Sequence, residues 1–109
     1  MTRYILSLAV IFGAFACSPV DRAVGAACDS DRDCRDRCLT DWPGGFCTLE
    51  CRDDRDCPPE AVCSDTRGGV CLLTCDVNRD CQDMLDDNDY RCDDRRNVEG
   101  GRDEVCVPD

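Results

Sequence analysis

Cysteine is the residue type in this chain with the most chemistry to offer, and its spacing is regular. Of thirteen cysteines, twelve fall into three sets of four: Cys28, Cys34, Cys38 and Cys47; Cys51, Cys57, Cys63 and Cys71; Cys75, Cys81, Cys92 and Cys106. Thiols at this density either cross-link as disulfides or hold a metal. Structural zinc sites favour short C-x(2–4)-C knuckles, commonly with histidine. The gaps from Cys47 to Cys51 and from Cys71 to Cys75 have that spacing, but they join neighbouring sets and the chain has no histidine. Disulfides are the expectation. Without histidine no Ser-His or Cys-His nucleophile pair exists. A carboxylate acid–base pair needs a concave, partly apolar pocket, which modules this small do not enclose. The chain is therefore expected not to be an enzyme.

Carboxylates are the second candidate chemistry. Asp29, Asp31 and Asp33 alternate as in an EF-hand loop, and Asp86, Asp87, Asn88 and Asp89 make an oxygen-rich run. Calcium takes about six to eight oxygen ligands, which such runs supply in part. Cys34 stands where the EF-hand needs glycine and Thr40 where it needs glutamate, so Asp86, Asp87 and Asp89 are the better calcium candidates. The competing reading makes the aspartates helix caps and Asx turns, paired with the interleaved Arg32, Arg55 and Arg79. No cofactor is the default expectation. Trp42, in the loop 39–46, is a candidate anchor for a partner, since tryptophan is enriched at binding hot spots. The alternative is that Trp42 covers the disulfides as a core residue of its module.

These groups are positioned by a repeat. The pattern C-x-x-[DN]-R-D-C begins at Cys28, Cys51 and Cys75, with starts 23 and 24 residues apart, which indicates a tandem array of small modules. Paired glycines form a second landmark: Gly44-Gly45 before Cys47, Gly68-Gly69 before Cys71, and Gly100-Gly101 ahead of Cys106 with three more residues inserted. They permit the positive φ of a tight hairpin turn, and residues 46–49, 70–73 and 105–107 read as strands leaving those turns. A helical turn is expected near each second cysteine, with Asp33, Asp56 and Asp80 as N-caps. That turn would put Cys34 and Cys38 on one face and Pro58 and Glu60 in the first turn after Cys57, and would extend to two turns over 81–85. Three-residue linkers, 48–50 and 72–74, predict a rigid row of neighbours. The polar insertion 93–104 reads as a flexible loop or a contact surface. The fold class is small and disulfide-rich: three tandem four-cysteine modules, 28–50, 51–74 and 75–109, with short β-hairpins, single helical turns and little regular secondary structure.

The N-terminus carries Arg3, then an apolar run over 5–16 ending Ala14-Phe15-Ala16. About 20 residues are needed to span a bilayer, so 1–16 reads as a secretory signal peptide. The next residue is Cys17, and Ala-x-Ala-Cys resembles the lipobox of bacterial lipoproteins. That resemblance implies diacylation of Cys17, with 17–27 as a lipidated tether. Ser18 after the cysteine implies, by the same resemblance, an outer-membrane or cell-surface destination. Cleavage without acylation would instead give a periplasmic or secreted protein. Parity supports the lipid, because thirteen cysteines less Cys17 leave twelve, an even set of four per repeat.

Composition sets the remaining bounds. The formal net charge is −11 and lysine is absent. Beyond residue 16, valine, leucine and phenylalanine make up about 15% of residues, a level that with high charge normally means disorder. Disulfides must supply the deficit, each loop of 10–15 residues contributing roughly 3 kcal/mol. The acidity argues against nucleic acid and against direct adhesion to anionic lipid headgroups, leaving the membrane as a partner through the lipid anchor. Four cysteines allow three pairings per module, and spacing does not choose among them. The C-x-x-D-x-D-C opening, the spaced third cysteine and the glycine-preceded fourth resemble EGF-like modules and the N-terminal cysteine-rich domain of dickkopf proteins, and also the repeat arrays of cysteine-rich bacterial surface lipoproteins. The resemblance implies first-to-third and second-to-fourth pairing. It also implies a binding or surface-structural module for a protein or glycan partner. The alternatives are a calcium-binding surface protein, or a protease-inhibitor-like module that inserts loop 39–46 into a cleft.

Overall fold

The computed structural model describes residues 20–109; the segment 1–16 expected to be a signal peptide, Cys17 and Ser18 lie outside the described residues. Each repeat contributes one antiparallel hairpin, with its third cysteine on the first strand and its fourth on the second. These are β1 (Arg37–Leu39) with β2 (Phe46–Thr48), β3 (Ala61–Ser64) with β4 (Val70–Leu73), and β5 (Tyr90–Arg96) with β6 (Arg102–Pro108). In every repeat the two cysteines sit directly opposite one another: Cys38 with Cys47, Cys63 with Cys71, Cys92 with Cys106. They do not bond to each other. The disulfides run Cys28–Cys38 and Cys34–Cys47, Cys51–Cys63 and Cys57–Cys71, Cys75–Cys92 and Cys81–Cys106. The interlocked first-to-third, second-to-fourth pattern therefore holds in all three repeats.

The helical turns fall earlier than expected. In repeats 1 and 2 they are 3-10 turns ahead of the second cysteine, at Asp31–Asp33 and Asp54–Asp56. Cys38 consequently lies on a strand and shares no helical face with Cys34, and 58–60 is a turn into β3. Only repeat 3 makes an α-helix, α1 (Asn78–Leu85), which begins three residues before Cys81. Among the described residues no helix is long and apolar enough to cross a membrane.

The repeats do not form an open row. The segment ahead of each first cysteine pairs with that repeat's second strand: the N–H of Cys47 donates to Ala26 O, that of Cys71 to Leu49 O, and Thr74 bridges Val105. Residues 24–26 thus do for repeat 1 what the linkers do for repeats 2 and 3. Ala23 and Val24 are buried, so the described part of the expected tether is docked in the fold. The insertion 93–104 is not a loop but the outer half of the β5–β6 hairpin. Its tip folds back onto repeat 2, where the N–H of Asp65 donates to Arg96 O and the N–H of Val98 to Cys63 O. Like charges face each other at Asp94–Glu104 and Arg96–Arg102, and the diagonal Arg102–Asp94 pair at 2.8 Å offsets them.

One apolar cluster spans all three repeats, through Leu39, Trp42 and Phe46, then Val70, Leu72 and Leu73, then Tyr90, Val105 and Val107. Every valine, leucine and phenylalanine from Val20 onward lies in or against it except Val77, which is 56% exposed. A composition that reads as nearly coreless builds a core by pooling three modules, because none is large enough to bury its own. The disulfides of repeat 1 form a separate buried group with Ala26.

Candidate functional site

The repeated acidic motif is the natural first candidate, and the structure accounts for it residue by residue. Its fourth position accepts a hydrogen bond from the backbone N–H of the third cysteine: Cys38 to Asp31 Oδ1 and Cys63 to Asp54 Oδ1 at 2.8 Å, Cys92 to Asn78 Oδ1 at 2.9 Å. This explains why asparagine replaces aspartate there, since only the acceptor oxygen is needed. At the sixth position the carboxylate reaches back to the start of the motif. Asp33 Oδ2 accepts from the N–H of Asp29 at 2.9 Å, Asp56 Oδ2 from Arg52 at 2.8 Å, and Asp80 Oδ2 from Asp76 at 2.9 Å. Asp33, Asp56 and Asp80 are third residues of their turns and not N-caps, and they satisfy the free N–H groups of a helix start. Of the interleaved arginines only Arg55 forms an ion pair, with Asp53 at 3.3 Å. Arg32 and Arg79 point outward without one among the described residues.

The calcium candidates have local structural roles, through the backbone for Asp86 and Asp89 and through the carboxylate for Asp87. Asp86 closes α1 in the left-handed conformation (φ 52°), which aspartate tolerates better than most residues. Asp87 Oδ1 accepts from the N–H of Asp89 at 2.8 Å, an Asx turn, and Asp89 O accepts from the N–H of Asp109. Among the described residues the groups of three donor side chains within 4.8 Å are all cysteine sulfurs, namely Cys28/Cys34/Cys38, Cys51/Cys57/Cys71 and Cys75/Cys81/Cys106. These atoms are consumed by disulfides. The carboxylates of Asp86, Asp87 and Asp89 do not converge in this way.

Trp42 is 7% exposed and is not a surface anchor. Its ring stands 5.1 Å from Phe46 and 6.2 Å from Tyr90, and Tyr90 Oη donates to Pro43 O at 2.7 Å. This aromatic clasp joins repeat 1 to repeat 3 across 47 residues of sequence. Tyr90 was not legible as part of any site, since nothing local marks it as Trp42's partner. Burial holds its phenol above the ordinary value of 10, with nearby Asp87 adding to the shift. Loop 39–46 turns Leu39, Trp42 and Phe46 inward, so it presents only Thr40, Asp41 and Gly44 fully to solvent. A loop packed this way is poorly suited to enter a protease cleft.

A groove of about 700 Å³ lies between repeats 1 and 2, lined among others by Asp36, Glu50, Arg52, Asp56 and Arg67. Arg67 has positive φ (55°) and reaches back to repeat 1 to pair with Asp41, whose carboxyl this hydrogen bond holds below its ordinary range. Arg55 does the same for Asp53, and Arg95 for Asp93. The groove offers mixed charge and no nucleophile. Comparison with protein-family models, curated proteins and solved structures finds no match for this chain.

Proposed function

We propose that this is an exported, lipid-anchored, non-enzymatic protein that displays its three-repeat body outside the cytoplasm, at an outer membrane or cell surface, as a binding or surface-structural module. The observation that carries the reading is the complete pairing of the twelve described cysteines into six disulfides within their own repeats. Disulfides at this density belong to oxidising compartments. They also leave no cysteine of the chain to pair with Cys17, and acylation gives that residue a role. The absence of histidine and the polar open groove favour recognition of a protein or glycan over catalysis.

Intact mass of protein from the native membrane fraction, alkylated before and after reduction, tests this. The expected result is an acyl-sized increment on Cys17, no alkylation before reduction and twelve alkylations after it. Cys17→Ser should move the protein to the soluble fraction. Free thiols before reduction, or an unmodified Cys17, would remove the reading.

A further inference from the structure

The six described disulfides are not equally sheltered. Four of them join two buried residues, and Cys57–Cys71 joins a half-buried residue to a buried one. In Cys75–Cys92 alone both residues are half-buried. Cys75 lines an open hollow of about 370 Å³ with Thr74, Asp76, Asp80, Asp83 and Met84. At the other end of the bridge, Glu104 Oε1 lies 3.7 Å from Cys92 Sγ in an exposed contact. Exposed disulfides are the ones that exchange with external thiols.

This bridge is also the one whose surroundings depend on it least. Cys75 donates its N–H to Glu104 O at 3.1 Å, and Cys92 donates its N–H to Asn78 Oδ1 at 2.9 Å. Cys92 sits opposite Cys106 within the longest strand pair of the protein. The hairpin that carries it is held again by its tip on repeat 2 and by the bond from Tyr90 to Pro43 O. Opening Cys75–Cys92 leaves all of these in place, and Cys81–Cys106 still cross-links the repeat.

Charge decides which thiols can approach. The hollow is lined by three carboxylates and no cation, and all three keep their charge, Asp80 while accepting from the N–H groups of Asp76 and Val77. Glu104 adds a fourth carboxylate at the far sulfur. Arg79 is not among the lining residues, and Arg102 is already paired with Asp94. An anionic thiol is repelled here, whereas one carrying an ammonium group is attracted.

We propose that Cys75–Cys92 is a thiol-exchange site that takes small cationic thiols. The incoming thiolate attacks Cys75 Sγ from the hollow. A new sulfur–sulfur bond forms to Cys75 as the bond to Cys92 breaks, and Cys92 leaves as a thiolate and takes a proton. A second molecule of the same thiol then attacks the external sulfur of this adduct. It departs as the oxidised dimer and leaves Cys75 a thiol, so two thiols are oxidised for the one disulfide reduced. The resting protein keeps the bridge closed, and the site does not depend on the lipid anchor.

The test uses the oxidised chain from Cys17 onward, carrying Cys17→Ser so that no free thiol is present. It is treated with cysteamine, thiols are blocked with N-ethylmaleimide over time, and adducts are located by peptide mass spectrometry. The first adduct should fall on Cys75 with Cys92 blocked, at least about tenfold faster than any other disulfide opens. Each thiol's rate is divided by its rate with a neutral small-molecule disulfide, which removes differences in intrinsic reactivity. So corrected, cysteamine should outpace anionic 2-mercaptoethanesulfonate by at least about fivefold, and ~0.5 M salt should narrow the gap. Circular dichroism should be unchanged while only this bridge is open. A first adduct on any other cysteine, equal corrected rates, or loss of the fold on opening Cys75–Cys92 would each overturn the proposal. None of these outcomes bears on acylation of Cys17, so this inference and the proposed function fail separately.

Discussion

Repeats 1 and 2 differ from repeat 3 in almost everything except the hydrogen bonds of their shared motif. All three use the fourth and sixth motif positions in the same way, and all three pair their cysteines in the same order. Yet the first two make only short 3-10 turns and hairpins of three or four residues per strand, while repeat 3 makes an eight-residue helix and seven-residue strands. The difference teaches that the motif fixes a knot and not a module. Two backbone-binding side chains and two interlocked disulfides define the knot. The lengths between the second, third and fourth cysteines are then free to vary, and repeat 3 uses its extra length to reach back to both neighbours.

The glycines should break this comparison most strongly. A Cβ on Gly45 would stand 1.9 Å from Cys28 O, and one on Gly69 2.5 Å from Cys51 O, each at positive φ. In repeat 3 the position two before the fourth cysteine is Glu104, and Gly101 instead belongs to the longer hairpin's turn, where a Cβ meets only the Asn97 side chain at 3.2 Å and φ is not positive. Gly45→Ala and Gly69→Ala should each cost upwards of about 3 kcal/mol and scramble oxidative refolding, whereas Gly101→Ala should cost under about 1 kcal/mol. Denaturant titration and disulfide mapping read both.

The clasp between repeats 1 and 3 comes next. Trp42→Ala should cost about 3–5 kcal/mol, and Tyr90→Phe about 1–2 kcal/mol through loss of the bond to Pro43 O. If the three repeats were independent beads, limited proteolysis of the Trp42→Ala protein would leave repeat 3 as resistant as before. The shared core instead predicts faster cleavage in both repeats 1 and 3.

A smaller effect sharpens the account of the motif. Asp54→Ala should cost about 1–2 kcal/mol, while Asp54→Asn should cost less than half as much, because Asn78 already does this work in repeat 3. Equal losses would mean that the charge, and not the acceptor, matters.

Titration is expected to have the mildest consequence. Asp41, Asp53 and Asp93 have lowered folded-state pKa values, so their small contribution is present above the unfolded value near 3.8 and is lost as pH falls below it. Tyr90 shifts upward as an acid, so the neutral phenol is the form favoured by folding; its contribution is present below pH 10 and is lost as pH rises further. Tyr90 is the only tyrosine beyond residue 16, so absorbance near 295 nm should show tyrosinate appearing only above pH 10, together with unfolding.

By itself, the chain's pattern of cysteines, paired glycines and motif aspartates determined three modules and the second strand of each hairpin. These features are local, since a turn glycine or a carboxylate accepting from an N–H four residues away acts within its own segment. Pairing order followed only from resemblance, and the helical turns were placed after the second cysteine when their caps lie before it. Only the tertiary structure decided that residues 23–26 complete repeat 1, that insertion 93–104 is a strand pair docked on repeat 2, and that Trp42 is core. Those outcomes depend on contacts far apart in sequence, such as Tyr90 with Pro43, and each module alone is too small to bury its own apolar residues.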